Sequence, residues 1–149
     1  MVFKTDSGGF AFKCDDAKFS ISASTWSTRL SQIGTAEGTI RIVTNKLSNI
    51  GYIEKILDKR PYDIHIIAHT DARENAVHLK KIFPEIKIAL HNKINAKVVF
   101  IEPNIIWLAS SDFGESKMIE SAIGLHSLDA HQQGIENYFE KLWYDAEEL

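Results

Sequence analysis

Apolar residues in this chain recur at two spacings, every second position in short runs and every third or fourth in longer ones, and the two alternate as they do in α/β layer structures. Thr39 to Thr44 is β-branched and bounded by Gly38 and Asn45, which predicts a strand. A helix is expected from about Ser48, whose hydroxyl can cap free N–H groups, with Ile50, Ile53, Ile56 and Leu57 as its apolar stripe and Pro61 beyond its end. Asp63 to Ala68 reads as the next strand. A second helix runs from Asp71 or Ala72 to Phe83, burying Ala76, Leu79, Ile82 and Phe83, and stops at Pro84. Ile86 to Leu90 returns as a strand, and 95–114 forms two apolar strands around a turn at Pro103-Asn104. Ile135, Tyr138, Phe139, Leu142 and Trp143 place a closing helix at about 132–147, with its aromatic stripe in the core.

The first 38 residues carry a weaker pattern. Phe10 to Lys13 and Phe19 to Ala23 alternate like half-buried strands, with Asp15-Asp16 as a turn between them. Trp26, Leu30 and Ile33 fit a short helix ended by Gly34, and 34–38 links it to the main sheet. Strand, helix, strand, helix, strand favours right-handed crossovers, while the closing hairpin adds antiparallel pairing. The expected fold is therefore α/β: a mixed, mostly parallel β-sheet between helices, in a single domain spanning 1–149.

Composition narrows the function classes. At 149 residues, with 44% hydrophobic and 25% charged content, the chain suits one globular core. Its apolar runs are too short to span a bilayer, and its start lacks a secretory pattern, so a cytoplasmic protein with no membrane partner is expected. The one cysteine, Cys14, builds neither an internal disulfide nor a thiolate metal site. A net charge of -3 argues against broad electrostatic gripping of nucleic acid, although Lys80, Lys81, Lys87, Lys93 and Lys97 crowd one stretch and read equally as a solvated lysine face.

Candidate chemistry concentrates in the hairpin. Side chains alternate along a strand, so Asn95 and Lys97 share one direction and Ala96 and Val98 the other, and Ser110 and Asp112 repeat that geometry on the partner strand. Four polar groups at the end of an otherwise apolar hairpin are poor core material, because burying them costs free energy unless something binds them. This stretch resembles the active-site hairpin of the phospholipase D superfamily, in which His-x-Lys, four residues and Asp precede a strand ending in Gly-Ser-x-Asn-Phe. Lys97, Ser110 and Phe113 fall at matching spacings. Ile64 to Asp71, Ile86 to Leu90 and Tyr138 to Trp143 extend the likeness to residues 39–149, a phospholipase D-like core, and leave 1–38 unassigned.

The resemblance implies roles for particular residues. Asn95 stands at the position of the nucleophilic histidine, Lys97 would steady phosphate oxygens, and Ser110 would add a hydrogen bond. Asp112 replaces the motif Asn and Glu102 the motif Asp, and Glu120 lies about where a further Glu fixes the histidine ring. An amide nitrogen has no free lone pair to attack phosphorus, and an anion at 112 repels phosphate unless it is protonated or paired with Lys97. Drift accounts for all three departures, whereas a laboratory His to Asn exchange accounts for the first. His91 would share the face of Asn95 on a continuous strand, but Asn92-Lys93 reads as a bend. His65 and His69 share a strand face without a second pair at ligand spacing, so they read as sheet-face histidines.

Two kinds of function follow. One is a metal-independent phosphodiesterase of the nuclease type, working without a cofactor as a homodimer on DNA or RNA, and inactive or nearly so with Asn95. The other is a non-catalytic nucleic-acid or phosphate-binding module, or a dimeric scaffold.

Overall fold

The computed structural model describes residues 2–21 and 32–149. The expected helical residues Trp26 and Leu30, and Ser22 and Ala23 of the expected strand, lie outside the described residues. Among the described residues the strands are β1 (Asp16–Ile21), β2 (Ile40–Thr44), β3 (Ile64–His69), β4 (Lys87–His91), β5 (Val98–Ile101), β6 (Ile105–Ala109), β7 (Ser121–His126) and β8 (Glu147–Glu148). They form one sheet in the order β1-β7-β6-β5-β2-β3-β4-β8. The α/β sheet between helices is there, with its parallel share confined to β2-β3-β4. The remaining pairings are antiparallel, because β5, β6 and β7 follow one another without a crossover helix.

Helices α1 (Ile50–Asp58) and α2 (Arg73–Ile82) cover one face, where Ile53, Ile56, Leu57, Ala76 and Leu79 pack on Ile40, Ile42, Ile64 and Ile66. The other face is covered by a C-terminal helical run made of α3 (Leu128–Gly134), a π-helical turn (Ile135–Phe139) and α4 (Glu140–Asp145). There Ala130, Ile135 and Phe139 meet Val43, Ile67, Val98 and Phe100. Gly134 lets this helix approach closely, since a Cβ would lie 2.5 Å from the Phe100 ring.

Several local expectations change. Phe10 to Lys13 is not a strand: Phe10 and Phe12 tuck against the core beneath the C-terminal helix, so their alternation reflects ring burial without a sheet partner. Ser48 does not cap α1. Asn49 holds the N-cap position in the left-handed region, at φ 57°, and its Nδ2 donates to the Glu115 carbonyl (2.9 Å) rather than capping the helix. Ile82 is 45% exposed, because α2 ends there and Phe83 takes the buried place. The closing helix begins earlier than its aromatic stripe, at Leu128, where Ser127 Oγ accepts from the Ala130 N–H (3.1 Å). His131 is buried in α3. Strand β7 gave little signal because Gly124 interrupts its apolar pattern, at a position where a Cβ would lie 2.7 Å from the Trp107 ring.

Buried histidines give the fold a pH dependence. Burial, reinforced by the Arg41 guanidinium, pulls both His65 and His131 below the ordinary value of 6.5, and the opposing pull of Glu102 on His131 is smaller. The unfolded chain therefore binds more protons than the native state as pH falls below 6.5, and stability drops through that window. Tm is expected to be higher at neutral pH than on the acid side of 6.5, with a flatter dependence in His131→Asn; equal slopes for the two proteins in pH-dependent thermal melts would remove His131 as a source.

Candidate functional site

Strand β2 ends at Thr44 and its antiparallel neighbour β5 begins at Val98, so the residues just beyond one and just before the other meet at one edge of the sheet. That edge is the carboxyl end of the parallel strands, where open α/β sheets characteristically bind ligands. Here Asn45 Nδ2 donates to Asn95 Oδ1 (3.2 Å), an amide orientation assigned from the bond pattern. Lys97 Nζ donates to the Asn95 carbonyl oxygen (3.2 Å).

Ser110 is reached from the next strand. The Lys97 carbonyl accepts the Ala109 N–H (3.2 Å), which makes Ser110 the residue just past the cross-strand neighbour of Lys97. Its N–H donates to the Ser121 carbonyl (2.9 Å), its Oγ accepts the Ser121 N–H (3.0 Å), and its hydroxyl proton is directed to the Glu120 carboxylate. The other oxygen of Glu120 accepts from Ser116 Oγ (3.1 Å). Glu120 thereby fixes a serine where the family likeness implies contact with a histidine ring.

Asp112 fastens the loop that carries Asn45. Its Oδ1 accepts the N–H groups of Asn45 (2.8 Å) and Lys46 (3.0 Å) and lies 3.0 Å from the Thr44 hydroxyl, which in turn accepts the Phe113 N–H (2.9 Å). Donors converging on one oxygen stabilise the carboxylate where it stands. Gly114 follows at φ 135°, and a Cβ there would approach the Ser48 carbonyl to 3.0 Å, so glycine is required for the loop to close on α1.

Glu102 lies elsewhere. It sits in the hairpin turn at the far end of β5, roughly 17 Å along the strand from Lys97, where it bonds Arg41 Nη1 (3.1 Å) and the Thr39 N–H (3.0 Å). Partial burial pushes its carboxyl up, but these hydrogen bonds outweigh burial and leave it below the usual carboxylate range. A Cβ on Gly38 would fall 2.0 Å from its Oε2, so Glu102 is built into the packing of this turn.

The edge thus brings Asn95 and Lys97 together, with Asp112 holding the neighbouring loop, while Ser110 and Glu120 bond each other on the next strand, where Ala109 and not Ser110 stands opposite Lys97, and Glu102 lies apart. Thr44 and Asn45 belong to the Asp112–Asn95 network and Ser116 to the Glu120 one, and all three were missed in the sequence; for the first two the available signal was the Thr-Asn pair closing the first strand of a parallel unit. Chemically, the edge offers the Lys97 ammonium and side-chain amides suited to phosphate oxygens, the Ser110 hydroxyl proton is committed to Glu120, and residue 95 offers no nucleophile. A separate cavity of about 840 Å3, with Phe10, Phe12, Val98, Phe100, Leu108 and Tyr138 among its walls, lies beneath the C-terminal helix; Asn95, Lys97 and Ser110 do not line it. Among the described residues, no three His, Cys, Asp or Glu side chains are grouped to share a metal ion, and no helix is long and apolar enough to cross a membrane.

Solved structures share this architecture. The protein described as a phospholipase D family member, Nuc from Salmonella typhimurium, aligns over 90% of this chain and 99% of its own at TM-score 0.72 and 13% identity. The fold is that of the phospholipase D family. NucT from Helicobacter pylori aligns over 90% of this chain and all of its own at TM-score 0.70 and 16% identity. TrmBL2, an archaeal chromatin protein whose structure is described as showing a novel mode of DNA binding, aligns over 91% of this chain and 55% of its own at TM-score 0.68 and 10% identity. No protein-family model and no curated protein sequence matches the chain. At these identities the phospholipase D-like likeness is one of fold.

Proposed function

We propose that this chain is a phospholipase D-like module that binds nucleic-acid phosphodiesters at the carboxyl edge of its sheet without turning them over. The observation that carries the reading is the pairing of Asn95 with Asn45 beside Lys97: the position from which a nucleophile would act holds an amide, already engaged in the loop network. Lys97 supplies the positive charge, and exposed Lys46 and Lys93 extend it along the same edge. A local cationic edge is compatible with a net charge of -3, because one strand of nucleic acid meets only the few groups it crosses. The fold shared with the DNA-binding protein TrmBL2 supports such a use. The family likeness adds a second copy of the chain, so that two edges face one bound strand as a homodimer.

The second reading, a phosphodiesterase of the nuclease type disabled at one residue, is favoured by the position of Lys97 next to residue 95 and by Glu120 at the same edge. The binding reading is tested by titrating fluorescent single-stranded DNA and RNA across a salt series. Lys97→Ala is expected to weaken binding several-fold and to lower the log–log salt slope by about 1. An unchanged slope in a folded variant would move the phosphate site away from this edge.

A further inference from the structure

The same edge carries a second pair of polar side chains. His69 and His91 end the adjacent parallel strands β3 and β4 and are register partners, so they stand side by side on one face of the sheet. Each is locked in the same way. His69 Nδ1 accepts the Asp71 N–H (3.0 Å), and His91 Nδ1 accepts the Lys93 N–H (3.1 Å). A ring nitrogen that accepts carries no proton, so each neutral ring keeps its proton on Nε2. The Asp71 carboxylate also lies 3.4 Å from His69 Nδ1. Among the described residues neither Nε2 has a hydrogen-bond partner, and both rings are partly exposed.

We propose that His69 and His91 form an anion site that takes a phosphate of a bound strand beyond the one at Lys97. Two Nε2–H donors on neighbouring strands suit phosphate oxygens. A metal ion needs the Nε2 lone pair, and supplying it would move each ring proton to Nδ1, against the backbone N–H that already points there. The pair is joined to the Lys97 group through the backbone: the His69 N–H donates to the Asn45 carbonyl (3.1 Å), and the Asn45 side chain bonds Asn95. Strand spacing puts β3 and β4 roughly 10 and 14 Å from β5, too far for one phosphate to reach both groups. Lys93, two residues after His91, adds a cation beside the pair.

This extension rests on the nucleic-acid reading, but its first test does not. Ring nitrogen chemical shifts of the full chain are followed by NMR during titration with inorganic phosphate. The expected result is the Nε2–H tautomer at both rings, with Nε2 signals that move together on adding phosphate. Rings that stay still, or that respond to zinc instead, would overturn the site whatever the chain binds. The second test compares a thymidine dinucleotide, with one phosphodiester, against a pentanucleotide. His69→Ala/His91→Ala is expected to weaken the pentanucleotide about tenfold and leave the dinucleotide unchanged, while Lys97→Ala weakens both. Equal loss on both ligands, or loss on neither, rejects the extension and leaves the Lys97 site standing; phosphate shifts at the rings without oligonucleotide binding reject the nucleic-acid reading instead.

Discussion

Asn95→His is expected to give a sheet edge that nicks plasmid DNA in the presence of EDTA. The parent protein should show no cleavage above background, because an amide neither attacks phosphorus nor transfers a proton at neutral pH. An imidazole at 95 would stand where Asn45 Nδ2 can donate to it and next to Lys97, whose ammonium already lies 3.2 Å from the residue 95 carbonyl. Histidine can serve there as a covalent nucleophile, and a matching imidazole from a second copy can protonate the leaving oxygen. We expect a gain of at least about a hundredfold over the parent, the lower end of what a positioned acid or base contributes. A folded, dimeric Asn95→His protein with no activity would show that more than the nucleophile is missing. Arg41 and Glu102, at the other end of the hairpin, are not expected to matter for this gain.

Asp112→Ala should produce the largest loss of stability among single changes at the edge. It leaves the N–H groups of Asn45 and Lys46 without their acceptor and removes the group beside the Thr44 hydroxyl. Hydrogen bonds to a charged acceptor contribute more than neutral ones, and orphaned donors add their own desolvation penalty, so the cost is about 3 kcal/mol. Chemical denaturation is the direct check. The loop from Thr44 to Lys46 also carries Asn45, so binding at the edge should weaken in the folded fraction of the variant. Asp112→Asn keeps an oxygen in the same place and should recover most of the stability; equal losses for Ala and Asn would mean that the carboxylate charge, not the acceptor geometry, holds the loop.

The fate of individual residues shows how far the pattern could be read. Asn95 and Lys97, expected on one face of a strand, lie just before β5, and what joins them is the Lys97 ammonium on the Asn95 backbone carbonyl. Alternation along a strand could not say that Asn45, fifty positions away, would meet Asn95, since that depends on β5 lying antiparallel to β2. The family resemblance put Glu102 among the site residues, in place of the motif Asp. The structure puts it with Arg41 and Thr39, because a four-residue strand carries it to the opposite end of the sheet. Asp112 was expected to threaten phosphate binding, and its Oδ1 turns out to close a loop whose backbone donors no sequence pattern announces. In the sequence His69 is weighed with His65 and His91 with Asn95, and the two become a pair only through the β3-β4 register.

By itself, the sequence determined the layered α/β character, the strands β2 to β6, the helices between them, and the presence of Lys97 without a nucleophile at 95. Those features rest on periodicity, turn residues and the chemistry of single side chains, all of which act over a few neighbours. Tertiary structure alone decided the strand order, the use of β1 and β7 to extend the sheet, and the partners of Asp112, Glu102 and Glu120. Those outcomes depend on which distant segments share a hydrogen-bonded edge, and that is settled by burying both faces of the sheet at once.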